Sequence, residues 1–407
     1  MRLLMLNERD LSHPLAGGVE VHLEEIASRL ASRHGIATTV LCAAFDGAVP
    51  DETRRGIRFV RSGDRAFGYY AQLPRRARAE LASGGYDLVV ENLCKLLFFS
   101  RLWLPDVPRL GLVHHLFGLS AFRQVSVPIA SYVVATEALL PLAYRGVPFV
   151  VVSPSTRDDL VRRGLPRGDI RVIPNGLDHD RYRPGASSAE RDLVVFVGRL
   201  EHYKGVDLLL DAWLHLRALR PGARLVIVGS GTAGDEMRAR ARDAGFGDTV
   251  TFAGFVSEEE KVAWMQRATL VVQPSRKEGW GLTVLEANAC GTPVVATDVP
   301  GLRDSVRHGT SGLLAAANPT SLAGCLLAVL SDESLRARLA RGARAWSERF
   351  GWDHVADAFA QVVRAVASRA PLPDVPDFIG GTVAAPDEAC AAGLAPGAQP
   401  GRLGVRG

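Results

Sequence analysis

Short apolar runs alternate with helical patterns along most of the chain. In the first half these runs are LLML (3–6), ATTVLCAA (37–44), DLVVEN (87–92), RLGLVHH (109–115), FVVVS (149–153) and IRVIPNG (170–176). In the second half they are LVVFVGRL (193–200), RLVIVGSG (224–231), TVTFAGFV (249–256), TLVVQPS (269–275) and TPVVATD (292–298). Helical stretches separate them, and the first places Val19, Leu23, Ile26 and Leu30 on one face. Continuous Val, Ile and Leu strands that alternate with helices predict α/β domains with parallel sheets covered on both faces.

The chain divides into two halves at a polar segment. DHDRYRPGASSAERD (178–192) has no apolar period and contains proline and glycine, so we interpret it as a linker. A length of 407 residues suits two domains. We therefore predict an N-terminal domain over 1–182 and a C-terminal domain over 188–349. Residues 371–407 are rich in Ala, Gly and Pro without apolar period, and we expect them to be disordered.

Composition narrows the class of protein. The chain is 47% hydrophobic and 23% charged, which is typical of a soluble globular protein, and a net charge of +4 gives no indication of a nucleic-acid partner. Five scattered cysteines without C-x-x-C spacing argue against a disulfide framework or a zinc site. No apolar run at the N-terminus is long enough for a signal peptide, so we expect a cytoplasmic protein. The least charged stretch, residues 125–144, contains Glu137 and two prolines and predicts a buried or half-buried helix instead of a membrane span.

A basic segment lies between Arg54 and Arg78, where eight arginines accompany one acid, Asp64. Tyr69, Tyr70 and Leu73 could join these arginines in a peripheral membrane surface at the inner face of the membrane. The segment could equally be a solvated basic face, which we favour.

Candidate ligand-binding residues follow the apolar runs. In open parallel sheets, ligands bind outside the carboxyl ends of the strands. Gly17 and Gly18 open the first helix and would leave its N-terminal amides free for an anion, although a flexible loop explains them as well. In GRLEHYKG (198–205), Arg199 and Lys204 suit a diphosphate, or they are ordinary solvated cations.

Two further groups of polar residues also end strands. His114 and His115 follow RLGLV and are either hydrogen-bonding groups near a reacting centre or structural histidines. In EGWGLTVLEANAC, Glu278 and Glu286 flank a predicted helix start at which Gly279 and Gly281 permit a tight loop. Both carboxylates could reach one ligand as acceptors for hydroxyl groups, or they could be surface acids.

Two other motifs carry less weight. VGSGTAG (228–234) has the spacing of a dinucleotide fingerprint, but no ribose-binding acid follows at the end of the next strand, so we assign no nicotinamide site. Asp178 and Asp180 form a D-x-D that could bind a divalent cation, and we interpret it as a solvated turn.

Together these motifs resemble the retaining glycosyltransferases of family 4. EGWGLTVLEANACGTPVVATDVPGL looks like the family's E-x7-E signature, GRLEHYKGVDLLLDAW is similar to its G-R-x-x-x-x-K-G segment, and VIPNGLD resembles its P-N-G-V-D turn. AGGVEVHLEEIASRL resembles its N-terminal glycine-rich loop. The resemblance implies the GT-B fold, in which two Rossmann-like domains with parallel sheets face an interdomain cleft. It also implies that a helix at about 350–369 crosses back to complete the N-terminal, acceptor-binding domain, while the C-terminal domain binds the donor.

The resemblance also implies roles for individual residues. Arg199 and Lys204 would hold the diphosphate of a nucleotide sugar, Glu278 would contact the transferred sugar, and Glu286 would bind the ribose. His114 or His115 would lie near the reacting centre, and the sequence leaves open which one. The remaining donor-binding residues implied are Gly17, Gly18, Gly198, Gly281, Leu282 and Thr283.

The expected reaction is metal-independent transfer of a sugar to a hydroxyl acceptor, a glycan, lipid-linked or small molecule, with retention of configuration and no cofactor. We favour front-side attack over a two-step route, since these motifs assign no carboxylate as a nucleophile. Two alternatives remain at this stage, a nucleotide-sugar 2-epimerase of the same fold and a non-catalytic nucleotide-sugar binder. The nucleotide base, the sugar, the linkage and the oligomeric state are not encoded in these motifs.

Overall fold

Two parallel sheets, each flanked by helices, make up the protein in the computed structural model, which describes residues 1–63, 66–93, 97–186 and 189–380. The first sheet has eight strands in the order β3-β4-β2-β1-β5-β6-β7-β8, and only the β3–β4 pair is antiparallel. The strands are β1 (Arg2–Leu6), β2 (Ala37–Ala43), β3 (Asp51–Arg54), β4 (Ile57–Ser62), β5 (Leu88–Leu93), β6 (Arg109–Val113), β7 (Phe149–Val151) and β8 (Ile170–Val172). The helices of this half are α1 (Gly18–His34), α2 (Ala66–Ala82), α3 (Val127–Ala138), α4 (Leu140–Ala143) and α5 (Pro154–Arg162).

The second sheet has six parallel strands in the order β11-β10-β9-β12-β13-β14. They are β9 (Leu193–Val197), β10 (Arg224–Val228), β11 (Val250–Gly254), β12 (Leu270–Gln273), β13 (Val294–Thr297) and β14 (Gly312–Ala315). The accompanying helices are α6 (Val206–Leu219), α7 (Gly234–Asp243), α8 (Glu258–Arg267), α9 (Leu282–Ala289), α10 (Leu302–Ser305), α11 (Pro319–Ser331) and α12 (Glu333–Ser347). Short 3-10 helices cover Ser100–Leu102, Gly118–Arg123, Arg167–Asp169, His202–Lys204 and Gly247–Thr249. The predicted α/β architecture with two parallel sheets is confirmed.

The final helix, α13 (Trp352–Ala367), returns to the first domain, as the resemblance implied. It packs on α1 and on strands β5 and β6. Its apolar side chains are buried against them: Val355, Phe359, Val362, Val363 and Val366. Arg29 and Arg33 of α1 form ion pairs with Asp353 at 2.7 and 2.9 Å on the outer side. The C-terminal part of the chain therefore completes the N-terminal domain.

Two chain segments connect the domains, and they touch each other. Leu177 and Gly351 form a parallel β-bridge. A Cβ at Gly176 would lie 2.5 Å from the indole of Trp352, so only glycine fits beneath that ring. The linker then packs on the second domain, where Tyr182 donates to Glu258 at 2.8 Å. The linker thus contacts the second domain at Tyr182, and the predicted limits at 182 and 188 stay predictions, with residue 188 outside the described residues.

The segment after α13 does not begin as the disordered tail that we expected from residue 371. Phe378 and Ile379 are buried, and the Arg349 side chain donates to the carbonyl of Phe378 at 2.9 Å. Arg171 likewise donates to the carbonyl of Leu372 at 2.9 Å. Residues 371–380 are therefore packed on the protein, and residues 381–407 lie outside the described part.

Three strands, β3, β4 and β14, were not predicted. Strand β4 reads IRFVRS, and its arginines interrupt the apolar run that marks the other strands. Arg61 is nevertheless buried, because its Nε donates to the buried carboxylate of Asp10 at 2.6 Å. A buried ion pair between distant residues leaves no trace in local hydrophobicity.

In the basic segment 54–78, two of the three apolar side chains predicted for a membrane surface are buried, while membrane association itself stays a prediction. Tyr69 and Leu73 are buried in the core of the first domain. Arg55 pairs with Glu25 at 2.7 Å, and Arg58 pairs with Asp51 at 2.6 Å. Arg75 and Arg76 are exposed, whereas Asp64 and Arg65 lie outside the described residues. No helix of the described residues is long and apolar enough to span a bilayer.

Because α13 completes a distant domain, we expect Phe359→Ala to destabilise the protein strongly. Phe359 is fully buried, and such a truncation costs about 3–5 kcal/mol in free energy of unfolding. The neighbouring Gln361 is exposed, so Gln361→Ala is the matched control and should change the unfolding free energy by less than about 0.5 kcal/mol. Urea denaturation measures both, and equal stability of the two variants would contradict the docking of this helix.

Candidate active site

The N-termini of two helices, one from each domain, meet in the cleft. Helix α1 starts at Gly18 and helix α9 starts at Leu282. A Cβ at Gly18 would lie 3.0 Å from Cδ1 of Leu282. The amide of Gly17, just before α1, donates to the Glu20 side chain at 2.7 Å. The cleft is therefore lined from both sides by helix N-termini, and that of α1 is capped by the carboxylate of Glu20.

Lys204 and Glu278 form an ion pair at the centre of this region. The Nζ of Lys204 donates to Oε1 of Glu278, and the hydroxyl of Ser275 donates to the same oxygen at 2.9 Å. Desolvation lowers the pKa of Lys204, but the carboxylate of Glu278 more than offsets it, so this pKa lies above its ordinary value. Arg199 stands exposed nearby and donates to the hydroxyl of Tyr203 at 2.8 Å. The two predicted cations and the first predicted carboxylate thus share one site.

Helix α9 begins directly after this pair. Gly281 precedes it with φ of 87°, a left-handed conformation that favours glycine. The amides of Leu282 and Thr283, in the first turn, have no acceptor within the helix. An anion placed beside Lys204 would therefore face both a cation and a helix N-terminus.

Glu286 lies farther along the same helix with different partners. Its carboxylate is 3.3 Å from Nζ of Lys261, which also binds Glu258 at 2.9 Å. Desolvation lowers the pKa of Lys261, and Glu286 and Glu258 together raise it above its ordinary value. Glu278 and Glu286 are therefore ion-paired with different lysines, Lys204 and Lys261.

His114 and His115 directly follow strand β6 and have different surroundings. His115 is partly buried beside Phe117, with ring centroids 5.0 Å apart. Desolvation and the charge of Lys277 lower the pKa of His115 to about 4, with smaller effects from Glu278, Lys204 and Arg199. His115 thus faces the predicted donor-binding residues and is neutral near pH 7.

His114 is buried against a second histidine. Its ring lies 4.9 Å from that of His22 on α1, and Nδ1 of His22 is 2.6 Å from Oδ1 of Asn175. Burial lowers the pKa of His114 well below its ordinary value. Within the described residues, Nε2 of His114 and Nε2 of His22 have no hydrogen-bond partner. His114 therefore belongs to a buried cluster beneath the cleft.

Close backbone contacts hold the two domains together at the site. A Cβ at Gly279 would lie 2.6 Å from the carbonyl oxygen of His114. The neighbouring Lys277 reaches into the first domain, where its Nζ donates to the carbonyl of Phe117 at 2.7 Å and lies 3.2 Å from the hydroxyl of Ser120. Sequence reasoning missed Lys277 and Lys261, because nothing in their local sequence distinguishes them from surface lysines.

The two motifs that carried less weight have local structural roles. A Cβ at Gly229 would lie 2.0 Å from the carbonyl oxygen of Gly198, so the VGSGTAG loop packs backbone to backbone against the loop of Arg199. In the D-x-D, Oδ1 of Asp178 accepts the amides of Asp180 and Arg181 at 3.1 Å each, which stabilises a turn. Across the part of the chain that the structure describes, no group of His, Cys, Asp or Glu forms a metal-ligand cluster.

Comparison with known proteins decides the family. The model of "Glycosyltransferase Family 4" matches residues 16–181, and that of "Glycosyl transferases group 1" matches residues 180–346. A D-inositol 3-phosphate glycosyltransferase of Acidothermus cellulolyticus is 34% identical over 87% of each chain. The chain belongs to glycosyltransferase family 4. It is accordingly a glycosyltransferase, which excludes the non-catalytic binder. A glycogen synthase of Mycobacterium tuberculosis is 30% identical over 92% of this chain and 98% of its own.

Solved structures support the GT-B fold of this glycosyltransferase. Sucrose-phosphate synthase from Thermosynechococcus elongatus superposes with a TM-score of 0.78 and 24% identity, covering 91% of this chain and 100% of its own. The Anabaena protein HepE, solved with UDP and glucose, gives 0.70 and 22%, covering 90% and 100%. The predicted GT-B class is confirmed.

The buried histidine cluster predicts that this glycosyltransferase loses stability in acid. Burial holds the pKa of His22 at about 4, against 6.5 in an unfolded chain, so protons bind the unfolded state preferentially as the pH falls through this interval. One such histidine lowers the free energy of unfolding by about 2 kcal/mol when the pH falls from 7 to 5. We expect His22→Gln to remove that share of the pH dependence in urea denaturation at the two pH values. An unchanged difference between pH 7 and pH 5 would show that His22 titrates normally.

Proposed function

We propose that this glycosyltransferase transfers a sugar from a nucleotide-diphosphate sugar to a hydroxyl acceptor with retention of anomeric configuration and without a metal ion. The observation that carries the proposal is the Lys204–Glu278 pair beside the N-terminus of α9. A nucleotide sugar brings an anionic diphosphate next to a polyhydroxylated ring. That ligand can satisfy a cation, helix amides and a carboxylate together.

The placement of charge supports catalysis by electrostatic stabilisation of the leaving group. Lys204 and Arg199 would face the diphosphate, on which negative charge grows as the anomeric bond breaks. The same two cations provide the positive charge that a divalent metal supplies in other transferases. We therefore propose that Lys204 and Arg199 make a metal ion unnecessary, and that Arg199, the exposed one of the two cations, closes on the ligand.

The carboxylate chemistry favours a one-step, front-side route. A covalent intermediate needs a free carboxylate below the anomeric carbon. Glu278 is engaged by Lys204 and Ser275, so it serves better as an acceptor for sugar hydroxyls than as a nucleophile. His115, neutral near pH 7, could donate one hydrogen bond to the sugar, while the leaving phosphate takes the proton of the acceptor.

The names of relatives provide candidate acceptors for this enzyme. Several relatives about 30–34% identical over most of the chain are named D-inositol 3-phosphate glycosyltransferase, and another is named glycogen synthase. We therefore propose inositol phosphate and glucan chains as first acceptors to test, alongside a lipid-linked alcohol.

Removing the central cation should impair chemistry more than binding. We expect Lys204→Ala to lower kcat about 100- to 1000-fold, the loss typical of one group that stabilises developing charge. Arg224, which pairs with Glu190 at the N-terminal end of strand β10, is the matched control, and Arg224→Ala should stay within about twofold. Steady-state kinetics with purified variants separate kcat from KM. A loss confined to KM would assign Lys204 to uniform binding of the donor.

The reaction class is tested by product analysis. UDP, GDP and ADP are first screened by thermal shift, and the matching nucleotide sugar is then incubated with and without each acceptor. We expect acceptor-dependent transfer, an NMR coupling that shows the same anomeric configuration in product and donor, and undiminished rates in excess EDTA. Inverted product would overturn the retaining mechanism, loss of activity in EDTA would overturn metal independence, and rapid epimer formation without acceptor would establish the epimerase.

A further inference from the structure

An apolar surface lies on the first domain between residues 119 and 142. Eight of the sixteen large apolar side chains exposed by the described residues fall in this interval. Leu119 is 76% exposed, Leu142 75%, Val127 65% and Tyr132 54%. The other members of this apolar surface are Phe122, Val125, Ile129 and Leu139. A concentration of exposed apolar side chains on a folded domain marks a surface that binds a membrane or another molecule.

The apolar surface exists because α3 packs only lightly on the rest of the domain. Of this helix, Ala130 and Val133 are the buried apolar residues, and they form a small separate core with Ala121 and Phe117. The stretch from 125 to 144 was predicted as one buried or half-buried helix. It forms two short helices, α3 and α4, that turn most of their large apolar side chains outward.

The apolar surface carries no acid of its own. Glu137 is the only acidic residue between positions 107 and 157. Its buried carboxylate points inward, where it accepts the amides of Phe117 and Gly118 at 2.7 and 2.8 Å and pairs with Arg163 at 3.1 Å. The only carboxylate between positions 107 and 157 therefore does not lie on the outer side of the domain.

Exposed arginines border one end of the apolar surface. Arg145 follows Leu142 closely in sequence and is exposed. The guanidinium of Arg101 donates to the carbonyl of Arg145 at 2.7 Å, which brings a second cation to the same place, next to the exposed Leu102. Apolar side chains bordered by cations are the combination that binds the interface of an anionic bilayer.

We propose that the apolar surface, residues 119–142 with Arg101 and Arg145, docks on an anionic lipid bilayer. Exposed cations at its border, with the only carboxylate of the segment turned inward, favour an anionic partner over a second copy of the chain. A bilayer offers apolar depth for Leu119, Val127 and Leu142 and negative headgroups for the cations. The proposal is independent of the reaction at the cleft.

The position of the apolar surface relates it to the active site. Phe117, which belongs to the small core beneath α3, contacts the ring of His115 and accepts a hydrogen bond from Lys277. Docking through this surface would hold the mouth of the cleft near the headgroups. The segment 54–78 lies on other elements, so two different regions can be compared in one experiment.

The proposal is tested by vesicle flotation of the full-length protein. Vesicles contain either phosphatidylcholine alone or phosphatidylcholine with 40% phosphatidylglycerol. We expect binding to the anionic vesicles only, weakened by 0.5 M NaCl, and a loss of at least tenfold in the bound fraction for the double variant Val127→Asp/Leu142→Asp. The matched control is Leu214→Asp/Leu219→Asp on α6, whose target side chains are 46% and 53% exposed.

Each other outcome overturns the proposal. No binding of the wild type to anionic vesicles excludes a bilayer as the partner. Binding that survives Val127→Asp/Leu142→Asp but is abolished by Arg75→Glu/Arg76→Glu assigns the membrane contact to the segment 54–78. A dimer in light scattering that Val127→Asp/Leu142→Asp dissociates, without lipid binding, assigns the apolar surface to a contact between copies. Thermal melting of all variants ensures that a loss of binding does not reflect unfolding.

Discussion

The contact between Gly279 and the carbonyl of His114 is the constraint on which the active site depends. His114 directly follows strand β6, and Gly279 lies in the loop between strand β12 and helix α9. Their backbones approach so closely that a Cβ at Gly279 would lie 2.6 Å from the oxygen, so glycine permits this contact between the two domains. Glu278 and His115, which flank this contact, are thereby brought to the same cleft, and Lys277 binds across it. Lys277 and Phe117, which are 160 residues apart in sequence, are joined by a hydrogen bond beside this contact.

Much of the fold could be predicted from the sequence, because parallel strands that are buried on both faces appear in it as uninterrupted apolar runs. Eleven runs of this kind became eleven strands at the predicted places. Strand β4 was not predicted, because Arg58 and Arg61 interrupt its apolar pattern. The buried Asp10 that neutralises the charge of Arg61 lies 51 residues away in sequence. Burial of a charge is decided by its partner, and the partner is visible only in three dimensions.

The active site could be predicted as a set of residues but not as an arrangement. Arg199, Lys204 and Glu278 were found from strand-end positions and from the resemblance, and the structure brings them together. The pairing of each glutamate with its own lysine depends on side chains from separate loops and helices. The doubled histidine could not be resolved from sequence, since the two residues carry the same chemistry and differ only in what surrounds them, His22 for His114 and Phe117 for His115.

The paired connections between the domains determine how the cleft can open. A single linker would leave one domain free to rotate about three axes relative to the other. Here the outgoing and returning segments cross side by side at Leu177 and Gly351, with Trp352 seated on Gly176. Two adjacent points of attachment define a line, and rotation about that line is the least obstructed motion. Two adjacent connections therefore restrict the relative rotations of the domains more than a single linker would, which helps to keep the groups on the two faces of the cleft in register.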